Sequence, residues 1–516
     1  MTGGGPSAVI IKSDKNRTIY GILFSCPITG SEKCIMLKSC CVYSTGVLCI
    51  LLLIAGIALV MAHIFPNIVH SRIKSEVVLK NGTLAFAAWE NPPPPVYMQF
   101  YFFNLTNPIE VLAGKRPAVV ELGPYTYREY RPMANVTFLE NGTKVEAVNP
   151  KTYVFEPSMS KGTEQDLIRT VNIPAMTVME KVKDMPIINT LVSKFMEGED
   201  IGLFTTLSVG DLLWGYKDLL LEEVAKMDHS IDPVFGLFHN MNATNDGDYV
   251  FYTGSQNYED FAKVVTWKGQ SSLDFWTSDE CNMINGTTGA AFHPIINKSE
   301  PLFMFSSDLC RSIYATYEKD VWVEHLPAYR FVPPYEVFAN LTITPANAGF
   351  CVPPGNCLGS GLLNVSPCKQ GAPIIMSSPH FYQADQKFVD DIFGMNPKKE
   401  YHETAIDINP LTGIVVQAAK RLQVNVMVEK IAVFSKQTGD VQSLVFPVVY
   451  LNESVVIDEA SAEQLYAVVL EADVVMNVPF IVIGLGILLG IFFMVLMCSR
   501  PKEQSSPAER EPLLKP

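Results

Sequence analysis

The sequence predicts an α+β protein in which one large antiparallel domain, with a helical segment inserted into it, lies between two transmembrane helices. Three observations support this fold class. Two uncharged apolar segments of 21 residues lie near the two ends of the sequence. Short runs rich in aromatic and β-branched residues recur between turn-forming residues, which is typical of β-strands. A central stretch with few prolines has apolar residues at helical spacing instead.

The two apolar segments, Val42–Ala62 and Val478–Cys498, are long enough to cross a bilayer. At about 1.5 Å per residue they span its hydrocarbon core of roughly 30 Å, and lipid offers the backbone no hydrogen-bond partner except within a helix. A cleaved signal peptide is the alternative for the first segment, but its length and the preceding tail favour a signal anchor. The predicted domains are the tail 1–41, helix 42–62, lumenal domain 63–473, helix 474–498 and tail 499–516.

Basic residues and glycosylation sequons predict the orientation. Lys33, Lys38, Arg500 and Lys502 flank the spans outside the large domain, which places both termini in the cytoplasm. Ten Asn-x-Ser/Thr sequons within 63–473 indicate passage through the secretory pathway, whereas Asn16 should stay unmodified. The ten are Asn81, Asn104, Asn135, Asn141, Asn242, Asn285, Asn297, Asn340, Asn364 and Asn452. The net charge of −14 argues against nucleic-acid binding.

The first part of the large domain is predicted to be rich in strands. Pro92–Pro95 should be extended, because four proline rings fix φ and remove four donors. The predicted strands are Val96–Phe103, Val119–Glu121 before a turn at Gly123-Pro124, Tyr125–Tyr130, Val136–Leu139 and Tyr153–Phe155. Further along, Tyr249–Tyr252, a half-buried strand Leu422–Val428, Ile431–Phe434 and Val445–Leu451 are predicted. Strands on both sides of a helical insert favour an antiparallel α+β domain.

The helical insert, Asn172–Met227, is predicted to hold two or three amphipathic helices. Ile187, Leu191 and Phe195 recur at helical spacing, and Ser208 is a candidate N-cap with Asp211 three residues on. No sequon lies between Asn141 and Asn242. A glycan-free surface of this kind can dock a protein; partial burial of the helices or chance is the alternative.

The sequence lacks motifs of catalytic or cofactor chemistry. Neither Gly-x-Ser-x-Gly nor a phosphate-binding glycine loop occurs. His402-Glu403 begins a zinc motif, but Ile406 stands where the second histidine is required. Asn245–Asp248 lacks the remaining ligands of a calcium loop, so we interpret it as a turn. We therefore expect no enzyme activity, no cofactor and no metal.

The last residues carry an acidic dileucine pattern, Glu509 followed by Leu513 and Leu514. An extended cytoplasmic tail can present the carboxylate to a basic patch and the leucines to an apolar pocket. Clathrin adaptor complexes collect endosomal and lysosomal cargo in this way. We predict a sorting signal and a location in the lysosome and late endosome membrane.

Several motifs spread over the large domain resemble those of the class B scavenger receptor family. They are Gly123–Glu129, Leu212–Tyr216, Asp308–Ser312, Pro379–Tyr382, Asn409–Gly413 and Pro447–Glu453. The large domain has five cysteines, so at least one is free or joins another chain. The resemblance implies an antiparallel β-barrel crossed by an apolar lipid tunnel and capped by a helical bundle at about 172–240. It also implies Cys310–Cys368 and Cys351–Cys357 disulfides and a free Cys281.

The resemblance also implies two functions. In one family member the apical bundle binds β-glucocerebrosidase, carries it to lysosomes and releases it in acid; the tunnel of other members passes lipids such as cholesterol, fatty acids or phospholipid. The implied partner-binding residues here are Met185, Ile187, Ile188, Leu191, Val192 and Phe195. A third interpretation is a glycan-dense shield for the membrane.

One departure concerns the acid response. The enzyme-binding member has a histidine in its bundle, but this sequence has none from Lys181 to Met227, and His229 and His239 lie just beyond.

Overall fold

The computed structural model describes the backbone of residues 31–499 and the side chains of residues 41–499. Asn16 and the sorting residues Glu509, Leu513 and Leu514 lie outside this range. The chain divides into a unit that holds the two long apolar helices and a unit that spans Pro66–Val475.

The helices are α1 (Ser31–Met61), α2 (Ile64–Glu76), α3 (Leu84–Glu90), α4 (Pro108–Leu112), α5 (Ile173–Val182), α6 (Pro186–Gly198), α7 (Val209–Trp214), α8 (Leu219–Met227), α9 (Asp279–Asn282), α10 (Gln386–Asp390), α11 (Lys399–His402), α12 (Ser435–Thr438) and α13 (Glu459–Cys498). The strands are β1 (Val96–Leu105), β2 (Val119–Tyr130), β3 (Ala134–Leu139), β4 (Lys144–Val148), β5 (Thr152–Phe155), β6 (Leu167–Val171), β7 (Phe204–Ser208), β8 (Tyr216–Lys217), β9 (Val234–Phe235), β10 (Asp248–Tyr252), β11 (Val264–Trp267), β12 (Leu302–Ser306), β13 (Arg311–Val323), β14 (Leu326–Val332), β15 (Leu362–Asn364), β16 (Ile374–Ser377), β17 (Ala405–Ile408), β18 (Val415–Val428) and β19 (Leu444–Val456).

Two of the helices are long and apolar enough to cross a membrane: α1 over Cys41–Met61, and α13. The second begins earlier than the predicted span, because the helix continues through its more polar N-terminal part, where Leu465 and Val469 are buried in a small cluster. Gly56 allows close helix packing: a Cβ there would lie 2.5 Å from Ile483 Cγ1.

An eleven-stranded antiparallel sheet forms the centre of the folded unit. Its order is β12-β13-β14-β17-β18-β19-β1-β2-β5, and β15 and β16 join it beside β18. The mixed helix and sheet architecture and the antiparallel pairing are as predicted. In the described part of the chain the two outer strands of this order, β12 and β5, do not pair with each other. The structure therefore does not confirm a closed barrel.

The prediction of a turn at Gly123-Pro124 is wrong, because both residues lie inside the single strand β2. The pairing of β1 with β2 shifts register between Phe100 and Phe102, which is a bulge. Gly123 has φ of 141°, and a Cβ there would lie 2.6 Å from Phe100 O. Glycine is therefore required for the close approach, and the signal that resembles a turn marks the bulge.

The insert contains four helices, α5 to α8, rather than two or three, because β7 and β8 divide it. The predicted cap is confirmed: the Ser208 hydroxyl accepts the Asp211 N–H at 3.0 Å and donates to Asp211 Oδ2 at 2.7 Å.

Two predictions for the last strands are wrong. Ile431–Phe434 is not a strand; a 3-10 helix, Ala432–Phe434, leads into α12, and the Phe434 N–H donates to Ile431 O at 2.9 Å. Residues 422–428 of β18 are buried on both faces rather than half-buried, since Gln423 and Asn425 are fully buried, as Val426 and Val428 are on the other face. Gln423 Nε2 donates to Asn425 Oδ1 at 2.7 Å, and Asn425 Nδ2 donates to Ile375 O at 3.0 Å. This pairing compensates the polar groups for the loss of water.

The cysteines pair as the resemblance implies. Cys310 is joined to Cys368 and Cys351 to Cys357, and Cys281 is free and buried. All ten sequon asparagines are at least partly exposed. Asn452 is the least favourable, because its Oδ1 is buried without a partner and its Nδ2 donates to Gln99 at 3.0 Å. Glycosylation stays a prediction.

Candidate functional sites: an apolar helix face and a cavity

Four apolar side chains on and beside α6 are exposed to solvent. Ile187 is 78% exposed and Leu191 62%, and Met185 and Ile188 are also exposed. Residues 187 and 191, and 188 and 191, are one turn apart, so the side chains share one side of the helix. We call these four residues the α6 face. A clustered apolar surface of this kind on a folded domain commonly marks an interaction site.

The opposite side of α6 holds the helix in place. Asn189, Val192 and Met196 are buried there, and Asn189 Nδ2 donates to Lys183 O at 2.9 Å. Gln437 Nε2 donates to Ser193 O at 3.1 Å. The helix is therefore anchored through its buried side, and its apolar side in solvent has no role in that anchoring.

The structure does not place all six predicted binding residues on the α6 face. Val192 is buried and Phe195 is half-buried against the core, so neither side chain is available as the other four are. Helical spacing shows that residues share one side of a helix, but not whether that side faces solvent or the core. The helix α6 has apolar residues on both sides. Periodicity alone could not separate the binding candidates from the core.

The two histidines beyond the helices have hydrogen-bond partners outside α6. His229 Nδ1 is 3.0 Å from Ala225 O, near the end of α8. His239 Nε2 is 3.1 Å from Asp232 Oδ2, and its Nδ1 is 3.4 Å from Trp214 O. Neither histidine has a hydrogen bond to α6 in the described residues.

The folded unit contains a cavity of about 930 Å³, at the large end of the range for ligand pockets. Its wall is largely apolar and draws on helices and strands far apart in sequence. Representative lining residues are Ile73, Trp89, Phe292, Ile406, Ile414 and Leu465. The volume and the lining suit an elongated apolar ligand.

One side of the cavity is charged. Lys420 Nζ lies 2.5 Å from Asp308 Oδ2 and 3.5 Å from Glu453 Oε2, and Arg131 forms an ion pair with Glu453. We call Arg131, Asp308, Lys420 and Glu453 the charged wall. The Lys420 and Asp308 side chains are about a third exposed, because they border the cavity. Each charge has an opposite partner at short range.

The pKa values show how strongly the charged groups of this wall act on one another. Burial alone would raise the pKa of Glu453, but Lys420 and Arg131 lower it to about 2. Nearby Glu129 differs: burial and then Glu453 raise its pKa, and both carboxylate oxygens lack a hydrogen-bond donor. Lys151 Nζ is 3.9 Å from Glu129. The wall stays ionised in acid, whereas Glu129 binds a proton more readily than an ordinary glutamate.

Comparison with known proteins identifies the family. A model of the CD36 family matches residues 47–497.

The chain belongs to the CD36 family.

Two groups of relatives refine this placement within the CD36 family. Lysosome membrane protein 2 from Mus musculus and from Homo sapiens is 50% identical over 479 residues, which cover 92% of this chain and 99% of the relative. Scavenger receptor class B member 1 from Rattus norvegicus is 34% identical over 443 residues, 85% of this chain and 86% of the relative. The class B scavenger receptor resemblance is confirmed. With two candidate spans, these relatives assign the chain to the lysosome membrane as a receptor of the CD36 family.

A further cluster in this CD36-family domain was not predicted from the sequence. His380 and His402 are buried and stacked, with ring centroids 4.4 Å apart. His380 Nε2 lies 2.7 Å from Glu121 Oε2, and its Nδ1 accepts the Asn396 N–H at 3.2 Å. His402 Nδ1 accepts the Lys398 N–H at 2.9 Å. The His-Phe-Tyr motif drew attention to His380, but the partner is 22 residues away and only the fold brings it near.

The environment keeps His402 neutral. Burial, and then His380, lower the pKa of His402 to about 4. Its Nδ1 already accepts a backbone N–H, so a proton can bind there only if that hydrogen bond breaks. In the described residues no group of three or more His, Cys, Asp or Glu side chains could hold a metal ion.

Proposed function

We propose that this CD36-family chain is a sorting receptor that binds β-glucocerebrosidase in the lumen through the α6 face. Both termini lie in the cytoplasm, where the Glu509, Leu513 and Leu514 signal engages clathrin adaptor complexes. The receptor and its bound hydrolase then travel together to late endosomes and lysosomes.

The exposed α6 face is the observation that carries this proposal. Its four apolar side chains lie in water although the same helix offers a buried side. Interfaces commonly concentrate their binding energy in a few such side chains. The face lies in the sequon-free stretch between Asn141 and Asn242, so no predicted glycan is attached to the helix itself.

Substitution of the face tests the proposal. Ile187→Asp and Leu191→Asp should each weaken binding of β-glucocerebrosidase to the full-length receptor by about tenfold or more, because a carboxylate would have to be desolvated at an apolar contact. Binding is measured at pH 7 with the receptor in detergent micelles.

The matched control is Ile109→Asp. Ile109 is 79% exposed, as Ile187 is, but lies on α4. It should bind the enzyme as the unsubstituted receptor does. Full binding by Ile187→Asp and Leu191→Asp would move the site away from α6.

The second proposed function is lipid transfer through the large cavity. The observation that favours it is the apolar lining of a 930 Å³ space, where burial of a lipid gains about 25 cal/mol per Å² of apolar area. Cholesterol, fatty acids and phospholipid are the candidate ligands. This role is compatible with enzyme sorting, because the cavity does not include the α6 face. With either role we expect no catalytic activity, which stays a prediction.

Filling the cavity tests this second function. Ala291 lines the cavity, so Ala291→Trp should slow cholesterol export from lysosomes that contain only this variant, while enzyme binding is kept. Ala113→Trp, at an exposed position outside the lining, is the control. Normal export by a folded Ala291→Trp receptor would contradict transfer through this cavity.

A further inference from the structure

A buried arginine outside both proposed sites has no acidic partner in the part of the chain that the structure describes. Arg311, the first residue of β13, is only 6% exposed. Its guanidinium carbon lies 3.6 Å from the centre of the Phe350 ring and 5.4 Å from that of Phe338. Aromatic faces attract a cation, but they do not neutralise its charge.

The hydrogen bonds of Arg311 are also incomplete. Its Nε donates to Ser312 O at 3.3 Å, yet a guanidinium has five N–H groups. Among the described residues, no Asp or Glu forms an ion pair with Arg311. Burial lowers the pKa of Arg311 to about 10, and Cys281 and Tyr314 are the titratable groups that oppose this shift. The side chain is therefore a cation at any physiological pH, in a setting where buried charges are normally paired.

A second cavity lies beside this cation. It has a volume of about 40 Å³, whereas a single water needs roughly 10 to 15 Å³ on the same kind of measure. Arg311, both aromatic rings and the loop closed by Cys351 and Cys357 contribute to its lining. Two other lining residues, Leu341 and Asn356, are exposed, so the cavity reaches the protein surface. A small ion can enter from that side.

We propose that this cavity binds a small monovalent anion of the halide class, chloride or bromide, as the counter-ion of Arg311. The two aromatic rings flank the guanidinium, and its remaining N–H groups supply the hydrogen bonds to the anion. The cavity excludes large organic anions by volume. The site is distinct from the 930 Å³ cavity: Phe338 lines both spaces, but Arg311 does not line the larger one.

A tryptophan near the site provides a direct measurement. The Trp276 ring lies 5.0 Å from Phe350, the ring on which Arg311 stacks, and its Nε1 donates to Cys310 O at 2.6 Å. Bromide is titrated into the full-length receptor in micelles at constant ionic strength, with gluconate as the balancing anion. We expect a saturable decrease in tryptophan fluorescence that chloride reverses, in addition to the linear quenching of exposed tryptophans.

Two variants test whether the saturable quenching by bromide arises from an anion beside Arg311. Trp276→Phe should remove it from the fluorescence, and Arg311→Met should abolish it by removing the cation. Replacing gluconate by chloride at about ten times its dissociation constant should raise the Tm of the unsubstituted receptor by about 2 °C, and not that of Arg311→Met.

Other outcomes would overturn the proposal. Purely linear quenching that chloride does not reverse would mean that the cavity holds water only. An equal chloride response in a folded Arg311→Met receptor would place the anion elsewhere. If Arg311→Met fails to fold, Arg311→Lys is tested instead. It keeps the charge and should retain a weaker saturable component of bromide quenching. Complete loss of that component in a folded Arg311→Lys receptor would also contradict the site.

Discussion

The α6 face and the charged wall depart from the usual distribution of side chains in opposite ways. The α6 face leaves apolar side chains in water, whereas the charged wall places two cations and two carboxylates inside the domain. The wall is compensated within the chain, since each charge has a partner. In the described part of the chain the α6 face has no such compensation, and in our proposal the bound enzyme covers it. The charged wall is therefore compensated by the fold itself, whereas the α6 face is assigned to a partner by our proposal.

Glu453→Gln should have the largest effect on stability. It leaves Arg131 and Lys420 with a neutral amide, and breaking a buried ion pair costs about 3–5 kcal/mol. The free energy of unfolding of the folded unit, followed by urea denaturation of the full-length receptor, measures this loss. The control is Lys430→Gln, whose solvent-exposed pair with Asp440 at 2.6 Å should contribute little to stability, because water screens it. Similar losses of unfolding free energy in both variants would mean that the charged wall contributes no more to stability than an exposed ion pair.

Two alanine substitutions within α6 sharpen the comparison. Met196 is fully buried, so Met196→Ala should destabilise the receptor by about 2–5 kcal/mol, because it leaves a cavity. Leu191→Ala, on the exposed side, should change stability by less than about 0.5 kcal/mol while it weakens enzyme binding. A large loss of stability from Leu191→Ala would show that the α6 face belongs to the core after all.

The smallest expected effect is on pH dependence, at His402. The pKa of about 4 in the folded chain lies below the ordinary histidine value of 6.5, so between these two pH values the unfolded chain binds a proton and the folded chain does not. This group therefore reduces stability as the pH falls from about 6.5 to about 4. His402→Asn, whose Oδ1 can still accept the Lys398 N–H, should show a smaller fall in Tm between pH 6.5 and pH 4.5. An unchanged fall would exclude His402 as the cause.

The sequence predicted most of the elements whose signal is local. Aromatic and β-branched content predicted β1, and Ser208 with Asp211 predicted the start of α7. Gly123-Pro124 misled the prediction because a bulge and a turn need the same residues. The polar residues Gln423 and Asn425 suggested a solvent-facing side for β18, and only the tertiary structure shows their partners.

The candidate sites also differ in how much of each the sequence could predict. The helix that carries the α6 face was predicted from spacing, but which of its two apolar sides faces solvent was not, as Val192 and Phe195 show. The charged wall joins residues 131, 308, 420 and 453, and no pattern in the sequence connects them. The cavity exists only where distant segments leave space between them, so no local pattern predicts it, and only the family resemblance implied an apolar tunnel.

The position of β1 has a consequence for synthesis of the chain. β1 pairs on one side with β2, which follows it closely, and on the other with β19; Tyr97 and Ser454 are paired although they lie 357 residues apart. At about 5–20 residues per second, the ribosome delivers the second partner roughly 20–70 s after the first strand. During this time one edge of a strand that carries Phe100 and Phe102 has no partner and is open to aggregation. The central sheet therefore cannot be completed until β19, its last strand in the sequence, has been synthesised.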